Sequence, residues 1–300
     1  MKKFKLFSLL FVSFSLLLTS CENKKKPSEQ VIEYENYTLY QDVSYADEYR
    51  NRFDIVFPKE VTSKEGVLVL IHGGAWVAGD KENCRDLMIE YSLKYKISVA
   101  SIGYEYASER VHYFDLLTDI NEALNGIKET ASKVDYSLNK VMLMGGSAGA
   151  HLSLLYGYKM RTISPLTVKG VISLAGPSNL TDENFFNGEG DLQNSITSAI
   201  EKISGTNLKD GISDDEKSKL LDASPIKYIN ANTCPTLIAH GEKDDVVPYS
   251  NAITLKEKLD SLNIKNDLVS FPTSGHGLDK DEDSKEQLNN LIDQYMQVLK

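Results

Sequence analysis

The chain is predicted to be an α/β protein built on a mostly parallel, doubly wound sheet. Two observations carry this. The first is a set of short, continuous apolar runs ending in glycine: "GVLVLIHGG", "KVMLMGG", "VKGVISLAG" and "CPTLIAHG". Such runs suit strands covered on both faces, as in parallel sheets. The second is that helix-spaced segments lie between them. Residues 115–131 place apolar side chains at 116, 117, 120, 124 and 127, one face of a helix. Strands alternating with helices over 300 residues give one large α/β unit.

In chain order, residues 1–20 stand apart. Lys2, Lys3 and Lys5 precede an apolar run broken only by serines, which ends in Leu18-Thr19-Ser20-Cys21. A basic start, a short apolar core and small residues at its end make an export signal rather than a membrane span. Leu-Thr-Ser-Cys resembles the lipobox of bacterial lipoproteins, in which cleavage precedes a cysteine that is then acylated. That resemblance implies a lipid anchor on Cys21 and an address in the bacterial cell envelope; several acyl chains hold stably where one is marginal. Residues 21–34, "CENKKKPSEQVIEY", read as a polar tether, and the folded domain is expected over 35–300.

Within that domain, "YTLYQDVSYADEYRNRFDIVFP" alternates as two or three strands, and "KISVASIGYEY" is a further buried strand. A helix is expected from Ala148 to about Lys159, another near 249–262 and a last one near 284–299, with the strand "NDLVSFP" before it. Residues 177–225 break the rhythm. They are rich in Asn, Asp, Ser and Gly, with weak helical patches such as "SITSAIEKI", and are too long for an ordinary connection. They read as a cap inserted over the carboxyl ends of the strands, where open α/β sheets bind ligands. Their polarity argues against an apolar lipase lid.

Charge and cysteine content narrow the function classes. Removing residues 1–20 leaves 30 basic against 43 acidic side chains, a net of −13. Such a surface argues against nucleic acid or an anionic membrane as partner. Beyond Cys21 only Cys84 and Cys234 remain, with no CxxC or His/Cys cluster, which argues against a zinc site.

The chemistry is read from "VMLMGGSAGAHL". Ser147 has Gly145 two places before it and Gly149 two places after, with a strand leading in and a helix leading out. A serine at the apex of such a turn projects its hydroxyl outward, and small neighbours permit the strained backbone. The bland alternative is a helix N-cap in a glycine-rich loop. An acyl-transfer serine also needs donors for an oxyanion. Ala148 N–H is one candidate, and the loop "HGGAW" offers Gly73, Gly74 and Ala75. Trp76, the single tryptophan, is a candidate pocket wall or a packing residue. Of five histidines only His276, in "FPTSGHGLD", stands on a glycine-flanked loop between a last strand and a last helix, where a general base belongs. The orienting acid falls in "HGEKDDVVP": Asp244 is the choice and Asp245 the runner-up, since spacing does not separate them.

With these residues in place the sequence resembles the α/β-hydrolase superfamily. More closely it looks like the branch that includes hormone-sensitive-lipase-like esterases and small acetyl or feruloyl esterases (BD-FAE-like). "HGGAWVAGDK", "GGSAGAHL", "ASPIKYI", "HGEKDDVVP" and "GHG" carry the likeness, in order, from about residue 40 to the end. The resemblance implies a serine carboxylic ester hydrolase without metal or organic cofactor. Its substrate would be a small-molecule or oligosaccharide ester. In such relatives the acid is the aspartate four places after the histidine of "HGxKD", which supports Asp244. Hormone-sensitive-lipase relatives usually have three glycines in the oxyanion loop and an acidic residue before the serine. Gly-Gly-Ala-Trp and Gly146 stand here instead, which moves the likeness toward carbohydrate esterases and arylformamidases. Amidase or exopeptidase chemistry is the rival enzymatic reading. A non-catalytic binding lipoprotein is a third, against which stands the presence of all three triad residues.

Overall fold

A computed structural model describes residues 26–300. The expected signal segment, Cys21 and the first part of the tether lie outside the described residues. Among the described residues nine strands form one sheet. In chain order they are β1 (Gln30–Glu33), β2 (Tyr37–Ser44), β3 (Arg52–Pro58), β4 (Gly66–Ile71), β5 (Ser98–Ile102), β6 (Lys140–Gly146), β7 (Thr167–Leu174), β8 (Thr236–Gly241) and β9 (Asn266–Phe271). Their spatial order is β1-β2-β3-β5-β4-β6-β7-β8-β9. β1, β2, β3 and β5 pair antiparallel, and every pair from β5 through β4 to β9 is parallel.

Alternation within β4 shows why its run is apolar throughout. Val67, Val69 and Ile71 enter the core on one face, and Leu68 and Leu70 enter the core on the other. Helices α1 (Arg85–Tyr95), α2 (Tyr113–Ser132), α3 (Ala148–Leu155), α4 (Asp191–Ser204), α5 (Asp214–Asp222), α6 (Ser250–Ser261) and α7 (Glu282–Met296) complete the fold. α2, α3 and α6 cover the face of Val67, and α1 and α7 cover the face of Leu68. Helix α3 is shorter than expected because its last turn widens into a π-helical turn at Tyr156–Met160.

Two differences from the sequence reading stand out. The sheet starts at Gln30, inside the expected tether, because "QVIE" pairs in register with β2 although Val31 is half exposed. An edge strand of four residues has too little apolar alternation to announce itself. Residues 85–95, unassigned from sequence, form α1. Cys84 and Cys234 are free, buried thiols in the cores on opposite faces of the sheet. Burial pushes both thiols up to about 12.

Residues 177–225 lie between β7 and β8 and hold α4 and α5. Both ends are pinned. Asn251 Oδ1 accepts from the N–H groups of Ser178 and Asn179 at 2.9 Å, and Ser224 Oγ accepts from Leu180 N–H at 2.8 Å.

Candidate active site

The turns after β6, β8 and β9 bring Ser147, Asp244 and His276 together. Ser147 sits at φ 54°, ψ −123°, a left-handed conformation that costs a non-glycine residue about 1–3 kcal/mol. Its backbone is held by an N–H bond to Leu174 O at 2.8 Å and by His151 N–H donating to its carbonyl at 3.0 Å. The side chain makes no helix cap; instead Ser147 Oγ–H donates to His276 Nε2 at 2.9 Å. That geometry sets aside the N-cap alternative. Gly149 is required by proximity: a Cβ there would stand 2.0 Å from Ile71 O, so α3 can start this close to β4 only with glycine.

His276 Nδ1–H donates to Asp244 Oδ2 at 2.8 Å. Asp244 has a fully buried side chain, whereas Asp245 and Glu242 are exposed, so the structure separates the alternatives that spacing did not. Asp244 Oδ1 accepts from Val246 N–H and Val247 N–H, each at 2.9 Å. Oδ2 has a second imidazole, His240, whose Nε2 lies 3.2 Å away and also donates to Val247 O at 2.9 Å. Burial pushes the Asp244 carboxyl upward, but the hydrogen bonds from His240 and His276 outweigh it and hold it below the usual carboxylate range. His240 was legible only as the end of a strand. Its contact with the acid is four residues on in "HGEKD", but only the turn after β8 closes it.

The loop after β4 carries three consecutive left-handed residues, Gly74 (φ 115°), Ala75 (φ 51°) and Trp76 (φ 62°). A Cβ on Gly74 would meet Ala78 O at 2.2 Å. Gly74 and Ala75 line the same cavity as Ser147 and Ala148; Gly73 does not. The Gly73 carbonyl accepts from His72 Nδ1–H at 2.7 Å. Burial, with the nearby Arg50 charge, brings His72 down to about 3 and keeps it neutral. Arg50, on the β2–β3 connection, clamps the loop from outside. It donates to Gly79 O at 2.8 Å and Tyr104 O at 2.9 Å, pairs with Asp80 at 2.9 Å, and lies 3.9 Å over the Tyr106 ring.

The cavity measures about 320 Å³, and among the described residues no Asp, Glu, Lys or Arg lines it. Trp76, Phe185, Val246 and Val247 form part of the wall. Helix α4 of the insertion adds Leu192, Ser195, Ile196, Ala199 and Ile200. The insertion is therefore polar in composition and apolar toward the site. Its Asn, Asp and Ser residues hide a stripe at i, i+4, i+7 and i+8, a spacing legible in the sequence once the outer face is discounted.

The arrangement is a hydroxyl aimed at an acceptor nitrogen, an imidazole hydrogen-bonded to a buried carboxylate, and the Gly74–Ala75 backbone beside an apolar cavity. The BD-FAE family model matches residues 53–259, more than two thirds of the chain. The chain belongs to the BD-FAE family. The matched span includes Ser147 and Asp244 and ends before His276. Among curated proteins the chain is similar to esterase LipC of Mycobacterium tuberculosis, 24% identical over 259 residues, covering 83% of this chain and 62% of that protein. It is also similar to the isoprenylcysteine alpha-carbonyl methylesterase ICME of Arabidopsis thaliana, 26% identical over 247 residues, with 78% and 55% covered. The chain thus spans a little over half the length of these relatives. A truncated carbohydrate esterase from gut microbiota superposes with a TM-score of 0.70 at 21% identity, covering 89% of this chain and all of that one. The fold of this BD-FAE member is the α/β-hydrolase fold, as the sequence predicted.

Proposed function

We propose that this protein is a serine carboxylic ester hydrolase. One observation carries the reading: Ser147 Oγ, His276 and Asp244 form a continuous hydrogen-bonded line that opens on an apolar cavity beside the N–H groups of Gly74, Ala75 and Ala148. His276 Nε2 takes the Ser147 proton as Oγ attacks the ester carbonyl. The N–H groups hold the oxyanion, and Asp244 stabilises the imidazolium. The imidazolium then protonates the leaving alcohol, and water repeats the cycle to release the acid.

The substrates are short-chain esters, with acetyl or feruloyl groups on carbohydrates as the biological class. Membership of the BD-FAE family and the likeness to a carbohydrate esterase support this. The signal segment and Cys21 support a lipid-anchored protein of the bacterial cell envelope. The amide and exopeptidase readings have less support, because no charged side chain lines the cavity to hold a peptide terminus.

The test is hydrolysis of p-nitrophenyl acetate, butyrate and octanoate by the purified protein and its Ser147→Ala variant. Turnover abolished by the substitution supports the reading. Turnover retained by the variant, or none of any ester by folded protein, overturns it.

A further inference from the structure

His151 is fully buried on α3, one turn beyond Ser147. Its two ring nitrogens face different segments. Nε2 lies 2.8 Å from Ala223 O, which follows α5 at the end of the insertion. A carbonyl only accepts, so Nε2 carries the proton and Nδ1 is left as an acceptor. The indole of Trp76, which can only donate, approaches that acceptor at 3.1 Å, with the rings edge to face at 5.1 Å. Burial lowers His151 to about 4, so the neutral ring that this pattern needs is the one present at neutral pH.

Trp76 is the third left-handed residue of the loop that presents Gly74 and Ala75 to the cavity. Left-handed Ala and Trp persist only where their surroundings over-determine them. Trp76 is held at its carbonyl by Ala107 N–H at 2.9 Å and at its side chain by His151. His151 N–H is in turn bonded to Ser147 O. The imidazole therefore joins the oxyanion loop to the end of the insertion, and the backbone N–H of the same residue ties both to the turn of the nucleophile.

We infer that His151 is a positioning residue: by accepting from Trp76 and donating to Ala223, it holds the Gly74 and Ala75 N–H groups in register with Ser147. The inference rests on the esterase reading for its effect on rate, and on geometry alone for its effect on Trp76. A general packing role would affect stability without singling out the turnover step. A positioning role affects kcat, because oxyanion donors matter most in the transition state.

The experiment compares wild type with His151→Leu, His151→Gln and Trp76→Phe, all as full-length protein. It reads kcat and KM on p-nitrophenyl butyrate, and the emission of Trp76, the single tryptophan of the chain. His151→Leu lowers kcat by about 10- to 100-fold with KM changed by less than about threefold, the scale of a misplaced oxyanion donor. Its Trp76 emission shifts, because the indole loses its acceptor. His151→Gln, whose amide oxygen accepts and whose amide nitrogen donates, returns the emission and brings kcat to within about fivefold of wild type. Trp76→Phe reproduces most of the kcat loss from the other side of the bond, so the inference stays testable if His151→Leu does not fold.

Folded His151→Leu with unchanged emission overturns the inference whether or not the protein hydrolyses esters. So does a kcat within about twofold of wild type in Trp76→Phe, or a His151→Gln variant no better than His151→Leu. Wild-type protein that turns over no ester removes the esterase reading instead, and the emission comparison still decides the place of His151.

Discussion

Two carboxylates flank the site, both with fully buried side chains, and they are neutralised in opposite ways. Asp54, on β3, meets permanent cations: Lys81 Nζ at 2.9 Å and Arg85 at 2.8 Å, with Asp42 N–H donating at 2.9 Å. Lys81 also pairs with Asp42 at 2.7 Å. Asp244 meets two backbone N–H groups and two imidazoles. The first assembly lies where the oxyanion loop runs into α1, and there two permanent cations grip the buried carboxylate directly. The second leaves the carboxylate charge formally unbalanced until His276 gains a proton. Locked charge fixes a loop; unbalanced charge waits for a reaction step.

Substitutions on the two sides break that comparison differently. Asp244→Asn has the largest effect, a fall in kcat of about 10³- to 10⁴-fold as the imidazole loses its orienting anion. Steady-state kinetics of the folded protein decides it; a loss below tenfold would remove Asp244 from the mechanism. Lys81→Met reverses the pattern. It leaves Asp42 without its cation and Asp54 with Arg85 alone, and lowers stability by about 3–5 kcal/mol, measured by urea unfolding, while kcat of the folded fraction falls far less than in Asp244→Asn.

Titration separates the two assemblies by sign. Asp244 is held below the ordinary carboxylate range, burial being outweighed by the histidine bonds. Its contribution is present above about pH 4, the unfolded value, and is lost as pH falls through the depressed folded value. Lys81 is held above the ordinary amine range: burial lowers it, but the Asp54 charge and the bonds to Asp42, Glu82 and Asp54 prevail. Its contribution is complete below about pH 10 and is lost as pH rises through the raised folded value. Melting temperatures across the pH range should show Asp244→Asn flattening the acid limb and Lys81→Met the alkaline limb. The smallest effect belongs to His240→Phe, which removes one donor to Asp244 Oδ2 and lowers kcat about tenfold, consistent with losing one hydrogen bond to a charged group. Unchanged kcat in a folded His240→Phe would show that His276 and the backbone suffice to set the acid.

What was legible in the sequence follows from how local each signal is. Ser147, Asp244 and His276 each stand where a strand ends, in glycine-bearing turns whose order along the chain is itself informative. The alternation in β4 and the helical spacing of α2 are local in the same way. His151 and Lys81 are not: their partners Trp76, Ala223, Asp42 and Asp54 lie tens of residues away, and no spacing rule joins them. "HGG" marks an oxyanion loop, but which N–H groups face the cavity depends on three backbone angles that composition does not encode. The apolar stripe of α4 was present but averaged away by its polar outer face.

The left-handed backbone of Ser147 has an evolutionary consequence. Glycine would occupy φ 54° without the steric penalty that serine bears there. Replacing the hydroxyl-bearing residue therefore relaxes the turn, and a Ser147→Gly chain should be inactive yet at least as stable as the parent. In a lineage released from selection for turnover, this position offers a downhill route away from catalysis.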